Sequence, residues 1–365
     1  PFQGTGYTVF DTSLMSVGPG VAKKLRGVLE DFPHVQHAFA YGSGVIVQPD
    51  LYDKSSTNKP MLDFIFAVDN PHEWHAQNLQ QNRHHYSILG SLGPTPVVWT
   101  AERLGAGTYF NTAVWWRGHM IKYGVIGAQL LYDDLQHWDS LYIAGRMQKP
   151  VLMLKDYAKL PIARKNNLDA AFTMALLLLP EQFSLQARPV GVAIHLHPQD
   201  LYAKICGVSY IGDVRMGFAE DSRKIERIAS GSAEGLALMY NKRLQGPVAD
   251  KAKLVSRPGD TFRQDLSDRS RVDLISTLPL GVLQRLASAT QPFDFRSRCD
   301  DPEVAQHVAE STVNTGTHEQ LLRAAVAAIV RPSSRRQAWA GLFMAGGKRS
   351  ASYLFQKVRK AYRTH

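Results

Sequence analysis

Residues 61–69 constrain the fold of this chain more than any other segment. They read Met-Leu-Asp-Phe-Ile-Phe-Ala-Val-Asp, which is apolar apart from its two acids, and Asn70 and Pro71 follow. A short run that is apolar on both faces is typical of a strand buried within a sheet. Asp63 must then be satisfied, because a buried unpaired carboxylate costs several kcal/mol. A cation, a metal ion or a dense set of hydrogen bonds would satisfy it.

A glycine-containing turn precedes this strand. Residues 37–41 form a short apolar run that ends at Tyr41, and Gly42, Ser43 and Gly44 follow. Glycine lets a backbone turn approach a ligand closely, and the N–H groups and hydroxyl of such a turn can hold a phosphate. A plain loop is the alternative, because Gly-Ser-Gly is common in turns. The turn and the acid together resemble the layout of polymerase-β-type nucleotidyltransferases, in which the turn holds a triphosphate and strand carboxylates hold Mg²⁺.

The second carboxylate of such a site is not obvious. That superfamily usually has an acid two residues further along the strand, where this chain has Ile65. Asp69 shares a strand face with Asp63, but six residues separate the two by about 20 Å at 3.3 Å per residue. Asp69 is also placed to cap the turn or the helix that follows. Asp213 is therefore a further candidate, and the predicted metal ligands are Asp63, Asp69 and Asp213.

Three cationic side chains are candidates for contacts with phosphate. Lys122 lies among apolar neighbours in residues 121–125, where a lysine usually pairs with an acid or an anion. The alternative is a lysine that extends to solvent from an edge strand. Arg146 and Lys149, in residues 144–151, add two further possible anion contacts.

A polar cluster at residues 72–87 allows two interpretations. His75, Asn78, Asn82 and His85 recur at spacings of three and four, which places them on one side of a helix. They form either a polar helix face packed near the active site or a set of nucleotide contacts. The zinc motif H-E-x-x-H is absent from this sequence, so a zinc site is not predicted.

The positive charge of the chain is concentrated at its C-terminal end. The formal net charge is +10, but residues 331–365 contain nine Lys and Arg and no acid, which leaves 33 against 32 in the rest. Apolar residues recur at helical spacing in this tail, and a basic amphipathic helix lies on an anionic membrane surface. A solvated tail or a nucleic-acid-binding arm is the alternative. The predicted membrane contacts are Trp339, Leu342, Phe343, Leu354, Phe355, Lys357, Val358, Arg359, Lys360 and Tyr362.

Two features that the sequence lacks limit the class of protein it can encode. The longest apolar run, residues 170–179, is about half of a membrane span, so no transmembrane helix is expected. Two cysteines, Cys206 and Cys299, cannot form a disulfide framework, which favours a reducing compartment.

Strands mixed with helices in the first 125 residues, followed by a mainly helical stretch to about residue 201, predict an α+β protein. The predicted strands are 37–41, 61–69, 96–100, 119–126 and 207–216. The predicted helices are 21–32, 73–89, 130–136, 138–147, 167–179 and 198–206, with short helices between 245 and 330.

Taken in order, several blocks of sequence resemble the mitochondrial translocator assembly and maintenance proteins, which are peripheral mitochondrial phosphatidate cytidylyltransferases. The resemblance rests on residues 41–45, 62–66, 68–69, 85–87, 121–125, 141–150, 209–216 and 329–334. It implies the reaction of CTP with phosphatidic acid to give CDP-diacylglycerol and pyrophosphate, with Mg²⁺ as cofactor. It also implies a location on the matrix side of the mitochondrial inner membrane, in the supply of phosphatidylglycerol and cardiolipin.

The resemblance further implies a domain order and residue roles. A polymerase-β-type nucleotidyltransferase domain (1–128) would precede a helical winged-helix-like domain (129–245), a C-terminal extension (246–330) and the basic amphipathic tail (331–365). The turn at Tyr41, Gly42, Ser43 and Gly44 would hold the triphosphate and Asp63 the metal. Lys122, Asp213, Arg146 and Lys149 would complete the catalytic and nucleotide-binding set.

Two other functions remain open from the sequence. One is a nucleotidyltransferase that acts on RNA or on a protein, with the tail as a nucleic-acid arm, although the aromatic residues of the tail favour lipid and no nucleic acid is expected. The other is a non-enzymatic assembly factor at the inner membrane. The oligomeric state is not predicted.

Overall fold

A computed structural model describes residues 19–46, 60–179, 194–217, 223–257, 261–291 and 297–344. Helices and strands alternate along the chain, and the sheets contain both parallel and antiparallel pairs, so the predicted α+β class is confirmed. The described α-helices are α1 Pro19–Arg26, α2 Pro71–Gln81, α3 Pro94–Trp99, α4 Ala128–His137, α5 Ala144–Met147, α6 Leu160–Leu178, α7 Pro198–Val208, α8 Lys224–Gly231, α9 Ala233–Tyr240, α10 Pro247–Lys251, α11 Asp268–Ile275, α12 Leu280–Thr290, α13 Pro302–Asn314 and α14 His318–Met344.

Within these described ranges, eight strands form two sheets. Their bounds are β1 His37–Tyr41, β2 Leu62–Val68, β3 Thr108–Trp116, β4 His119–Gly127, β5 Leu152–Lys155, β6 Ile194–Leu196, β7 Val255–Arg257 and β8 Thr261–Gln264. The larger sheet has the order β3-β4-β2-β1-β5, and the smaller one has the order β6-β8-β7. In the larger sheet β2 and β4 are parallel and the other neighbours are antiparallel. β2 is therefore central and paired on both sides, which explains its almost continuous apolar sequence.

Alternate residues of β2 face two hydrophobic cores on opposite sides of this sheet. Ile65 belongs to the larger core, and Phe64 and Phe66 belong to the smaller one. Because side chains alternate along a strand, Asp63 lies on the same face as Ile65. The larger core includes side chains as far along the chain as Val330, so later helices pack against the face that carries Asp63.

The strands expected near residues 37–41, 61–69 and 119–126 are confirmed, whereas the strand expected at 96–100 is wrong. Those residues belong to α3 and to the π-helical turn Thr100–Leu104. The adjacent Val97 and Val98 favoured a strand. Pro94 and Pro96, however, lie in the first turn of α3, where proline is well tolerated.

The strand expected at 207–216 is also wrong. This stretch ends α7 and continues through a turn to the 3₁₀ turn Val214–Gly217. Gly212 has a φ of 80°, and a Cβ atom there would collide with the backbone of Ala327 in α14. The left-handed glycine and the close helix break the strand that the apolar residues suggested.

α14 is 27 residues long and contains Pro332. At 1.5 Å per residue it extends for about 40 Å. Within the ranges that the structure describes, no helix combines the length and apolar character needed to cross a bilayer.

Candidate active site

The turn that follows β1 lies against the start of β2. Gly42 has a φ of 81°, and its carbonyl oxygen accepts hydrogen bonds from the N–H groups of Val45 (3.0 Å) and Ile46 (2.9 Å). A Cβ atom at Gly44 would overlap the carbonyl oxygen of Met61. The turn therefore requires glycine at one position for its left-handed conformation and at the other for the close approach.

Asp63 and Lys122 form an ion pair beside this turn. The strand register pairs Tyr41 with Asp63 and Asp63 with Lys122, so the three side chains project from one face of the sheet. The Nζ atom of Lys122 lies 3.8 Å from Oδ1 of Asp63 and 4.4 Å from the centroid of the Phe110 ring. The exposed fractions of the side chains are 22% for Lys122 and 26% for Asp63. Lys122 thus neutralises the charge of the partly buried Asp63, and both side chains remain accessible to a ligand.

The loop between α4 and α5 positions a second cation. The helix expected at 138–147 is a turn in its first half, because the buried carboxylate of Asp134 accepts hydrogen bonds from backbone N–H groups. Their donor–acceptor distances lie between 2.7 and 3.1 Å. The four donors are Ser140, Leu141, Ile143 and Ala144. This ring of donors fixes the start of α5, the short helix that carries Arg146.

Arg146 stacks on two tyrosine rings. Its guanidinium carbon lies 4.0 Å from the ring centroid of Tyr142 and 5.4 Å from that of Tyr41, and the guanidinium donates a hydrogen bond to the Tyr142 carbonyl oxygen. Burial raises the pKa of the Tyr142 phenol, but the positive charges of Arg146, Lys122 and Arg215 outweigh burial and lower that pKa. The charges of all three cations act on this one phenol, and an anion bound beside it would experience the same field.

Lys149 is held more tightly by the protein. Its ammonium group donates hydrogen bonds to the Gly145 carbonyl oxygen (2.5 Å) and to Oγ of Ser209 (2.8 Å). It also lies 5.2 Å from the ring centroid of Tyr210, and Lys224 approaches the same ring at 5.1 Å. Burial lowers the pKa of Lys149. This lysine links α5 to the end of α7, and its predicted contact with nucleotide stays a prediction.

Asp213 binds Arg215 rather than joining a carboxylate cluster. Nε of Arg215 lies 3.0 Å from Oδ1 and Nη2 lies 2.5 Å from Oδ2, and Oγ of Ser334 donates to Oδ1 at 2.5 Å. Burial raises the pKa of Asp213, but the hydrogen bonds and charge of Arg215 lower it to about 2. Both carboxylate oxygens are occupied by protein donors. This pairing supports a role for Asp213 as the anchor of Arg215 and argues against its predicted role as a metal ligand.

The position of Asp69, beyond the opposite end of β2 from Asp63, argues against its predicted role as a metal ligand. Asp69 follows the end of β2, is exposed to solvent and accepts a hydrogen bond from the side chain of Gln36. The strand separates it from Asp63 by about 20 Å. In the described part of the chain, no group of three or more His, Cys, Asp and Glu side chains could hold a metal ion. A three-carboxylate centre is thus not formed there, and Asp63 remains the carboxylate that adjoins the glycine turn.

Arg215, Tyr142 and Ser334 are site residues that the sequence did not single out. Arg215 and Ser334 lie within sequence blocks 209–216 and 329–334, but their pairing through Asp213 joins positions 121 residues apart. Tyr142 lies four residues before Arg146, a spacing at which side chains on a helix are neighbours. This spacing is the feature of the sequence that could have indicated their contact.

The polar cluster at 72–87 forms a buried network on the opposite face of the sheet. Oη of Tyr86 lies 2.7 Å from Nδ1 of His75 and accepts a hydrogen bond from Asn78, which also donates to Oη of Tyr123 at 3.0 Å. Burial lowers the pKa of His75 to about 3 and that of His85 to about 4, so both are neutral near pH 7. Tyr123 adjoins Lys122 on β4 and therefore points away from it. The cluster is therefore packed in a buried network, as one interpretation expected, but on the face away from Lys122 rather than beside the proposed active site.

Of the predicted membrane contacts, Trp339 lies on α14 with 63% of its surface exposed. Leu342 and Phe343 lie in the last turn of the same helix. The others, Leu354, Phe355, Lys357, Val358, Arg359, Lys360 and Tyr362, lie outside the described residues.

The site is, in sum, a glycine turn, one accessible carboxylate and a surplus of positive charge on one face of an α+β sheet. This combination is the chemistry of proteins that bind phosphorylated ligands. A family model described as mitochondrial phosphatidate cytidylyltransferase matches residues 25–360. The chain belongs to this family.

Relatives with that name cover nearly the whole chain. The protein from Rattus norvegicus is 37% identical over 93% of this chain and 94% of its own length, and the protein from Bos taurus is 36% identical over 94% and 95%. The protein from Schizosaccharomyces pombe is 33% identical over 88% of this chain and 79% of its own length.

Proposed function

We propose that this chain is a phosphatidate cytidylyltransferase, which converts CTP and phosphatidate into CDP-diacylglycerol and pyrophosphate. The observation that carries the proposal is the Asp63–Lys122 ion pair beside the glycine turn, within a chain that matches the family over almost its whole length. The family match also favours a lipid substrate over RNA or protein.

The reaction is an in-line substitution at phosphorus. An oxygen of the phosphatidate phosphate forms a bond to the α-phosphorus of CTP. The bond from that phosphorus to the bridging oxygen of the β-phosphate breaks, and pyrophosphate leaves with the electron pair. A dianionic lipid phosphate needs no general base, so the work of the protein is to position the reactants and to neutralise charge.

The residues of the site divide this work. The backbone N–H groups and the Ser43 hydroxyl of the turn would hold the triphosphate. Lys122 and Arg146 would neutralise charge on pyrophosphate or on the lipid phosphate. Arg215 is held by Asp213, and its charge lowers the pKa of Tyr142 together with the charges of Arg146 and Lys122, so we add it to the phosphate-binding set.

Asp63 is the residue that fits a magnesium ion. A Cβ atom at Gly42 would lie 3.2 Å from its Oδ2, so the carboxylate faces the turn that would hold the phosphates. Mg²⁺ commonly uses one or two carboxylates together with substrate phosphates and water, and a three-carboxylate cage is not required. When bound, the ion would neutralise charge on the triphosphate.

The proposed domain order follows from the same family. Strands β1 to β4 of the mixed sheet would belong to a polymerase-β-type nucleotidyltransferase domain over 1–128, and β5 adds an edge strand from beyond that range. Helices α6 to α9 support a helical, winged-helix-like domain over 129–245, and the small sheet pairs its strand β6 with β8, which lies in the extension beyond 245.

Membrane association is the third part of the proposal. The relatives are named mitochondrial, and we place this chain on the matrix side of the inner membrane as a peripheral protein. This placement is supported by residues 331–365, which contain nine Lys and Arg residues and no acid.

Asp63→Asn tests the reaction and the site together. With radiolabelled CTP, Mg²⁺ and phosphatidate, the variant should form CDP-diacylglycerol at least about 100-fold more slowly than the wild type, because the carboxylate charge is lost. Asp69→Asn is the matched control and should retain the wild-type rate. Full activity of Asp63→Asn would reject the metal assignment, whereas an inactive wild type would reject the reaction.

A further inference from the structure

Three large apolar side chains protrude from the segment that joins α2 to β3. The exposed fractions are 84% for Ile88, 73% for Leu92 and 54% for Trp99. Ile88 and Leu92 are the first and last residues of the 3₁₀ turn Ile88–Leu92, and Trp99 ends α3, which packs against that turn. We call these three side chains the 88–99 surface. Isolated exposed apolar residues are common, but three strongly exposed large ones on two elements that pack together are a candidate binding surface.

The border of the 88–99 surface is basic. Between Arg83 and Trp99 the sequence has no acid. Arg83 is exposed and its guanidinium donates a hydrogen bond to the Ser91 hydroxyl, which places its charge beside the 3₁₀ turn. Arg103 is exposed just beyond α3, next to Glu102. Apolar tips bordered by cations suit an anionic bilayer, where the tips enter the interface and the cations meet the headgroups.

The C-terminal helix approaches the same region. α14 packs against the π-helical turn that follows α3, and Nε2 of Gln337 donates a hydrogen bond to the carbonyl oxygen of Thr108 at 3.1 Å. Trp339, two residues further on, is exposed, as are Arg335 and Arg336. The first part of the proposed membrane-binding tail, on α14, therefore packs against the turn that follows Trp99.

α14 also links this region to the catalytic side of the sheet. Ser334 donates to Asp213, which holds Arg215, and Trp339 follows five residues later. Five residues of helix span about 7.5 Å. A bilayer that meets Trp339 is thus a short distance from the anchor of a phosphate-binding arginine.

We propose that the 88–99 surface is a second membrane contact, which inserts Ile88, Leu92 and Trp99 into an anionic lipid surface. This proposal rests on the proposed function, in which the substrate that accepts the cytidylyl group is a membrane lipid. Together with the tail, the 88–99 surface gives the enzyme two separate contacts and so a fixed orientation, with the phosphate site turned toward the headgroups. A protein partner is the alternative occupant, but the basic border and the adjoining basic helix favour lipid.

The test uses the full chain and a double variant, Ile88→Ser with Leu92→Ser. Vesicles of phosphatidylcholine with phosphatidate are the probe, and co-sedimentation measures binding. Removing two apolar tips should weaken binding about tenfold or more. Ile162→Ser is the matched control, since Ile162 is equally apolar and 66% exposed on α6, and it should bind as the wild type does.

Two activity measurements separate this inference from the proposed function. The double variant should lose CDP-diacylglycerol formation on vesicles in parallel with binding and keep it within about twofold on detergent-dispersed phosphatidate. A wild type that is inactive on both substrates would contradict the proposed function. A double variant that binds vesicles as tightly as the wild type would overturn the second contact.

Insertion can be observed directly. Leu92→Cys labelled with nitrobenzoxadiazole should brighten and shift to the blue when vesicles are added, whereas the same label at Ile162→Cys should not respond. Unchanged emission at position 92 would overturn the inference and leave a protein partner as the occupant.

Discussion

Asp213→Asn is expected to destabilise the fold and to release Arg215. The amide keeps the shape of the side chain but removes the charge that receives the guanidinium and the Ser334 hydroxyl. The pKa of Asp213 is raised by burial but lowered overall by Arg215, from 3.8 to about 2. At about 1.4 kcal/mol per pKa unit, the charged form stabilises the folded state by about 2 kcal/mol.

The pH dependence has a definite sign. Because the folded-state pKa lies below the unfolded value of 3.8, this stabilisation is complete well above pH 4 and is lost as the pH falls toward 2. At pH 7 the variant should therefore unfold with a free energy about 2 kcal/mol lower, and its KM for CTP should rise because Arg215 is no longer fixed.

Urea denaturation at pH 7, followed by tryptophan fluorescence, measures the loss. Asp69→Asn is the control, because Asp69 is exposed and its substitution should change stability by less than about 0.5 kcal/mol. An Asp213→Asn protein with the wild-type urea midpoint and the wild-type KM would refute the anchoring role.

Two further predictions concern the turn and the buried histidines. Gly42→Ala and Gly118→Ala both force an alanine to a φ of 81°, which costs about 1–2 kcal/mol, so calorimetry should show similar drops in Tm. CTP affinity should fall in Gly42→Ala alone, and an equal loss in both variants would contradict the phosphate-binding turn. For His75 and His85, burial holds the folded-state pKa at about 3 and about 4, below the ordinary 6.5. As the pH falls from 7 to 5, these histidines become protonated in the unfolded state but not in the folded state. The free energy of unfolding should therefore decrease over this range. Urea midpoints should show a smaller fall for His75→Gln than for the wild type, and identical falls would count against this explanation.

The sequence predicted those parts of the site that lie close together along the chain. The apolar run around Asp63 and the preceding glycines determine a strand, a turn and an acid in need of a cation. Lys122 was proposed from its apolar neighbours, and the parallel pairing of β2 with β4 brings it to Asp63.

The sequence could not predict the contacts made by packing between distant elements. Asp213 pairs with Arg215 and Ser334 because α14 crosses a turn 121 residues earlier in the chain, and a single sequence holds no record of that contact. Local propensity also misled at Val97 and Val98, where the prolines of the first helical turn outweighed β-branching.

Isothermal titration of CTP in the presence and absence of Mg²⁺ tests the central claim most directly. The claim is that Asp63 and Lys122, beside the glycine turn, form the site for a metal-bound triphosphate. The wild type should bind CTP with Mg²⁺ at least tenfold more tightly than without it, by about 1.4 kcal/mol or more. Asp63→Asn should lose this magnesium dependence, and Lys122→Ala should weaken binding under both conditions. Magnesium-dependent binding of CTP by Asp63→Asn at the wild-type affinity would contradict the account.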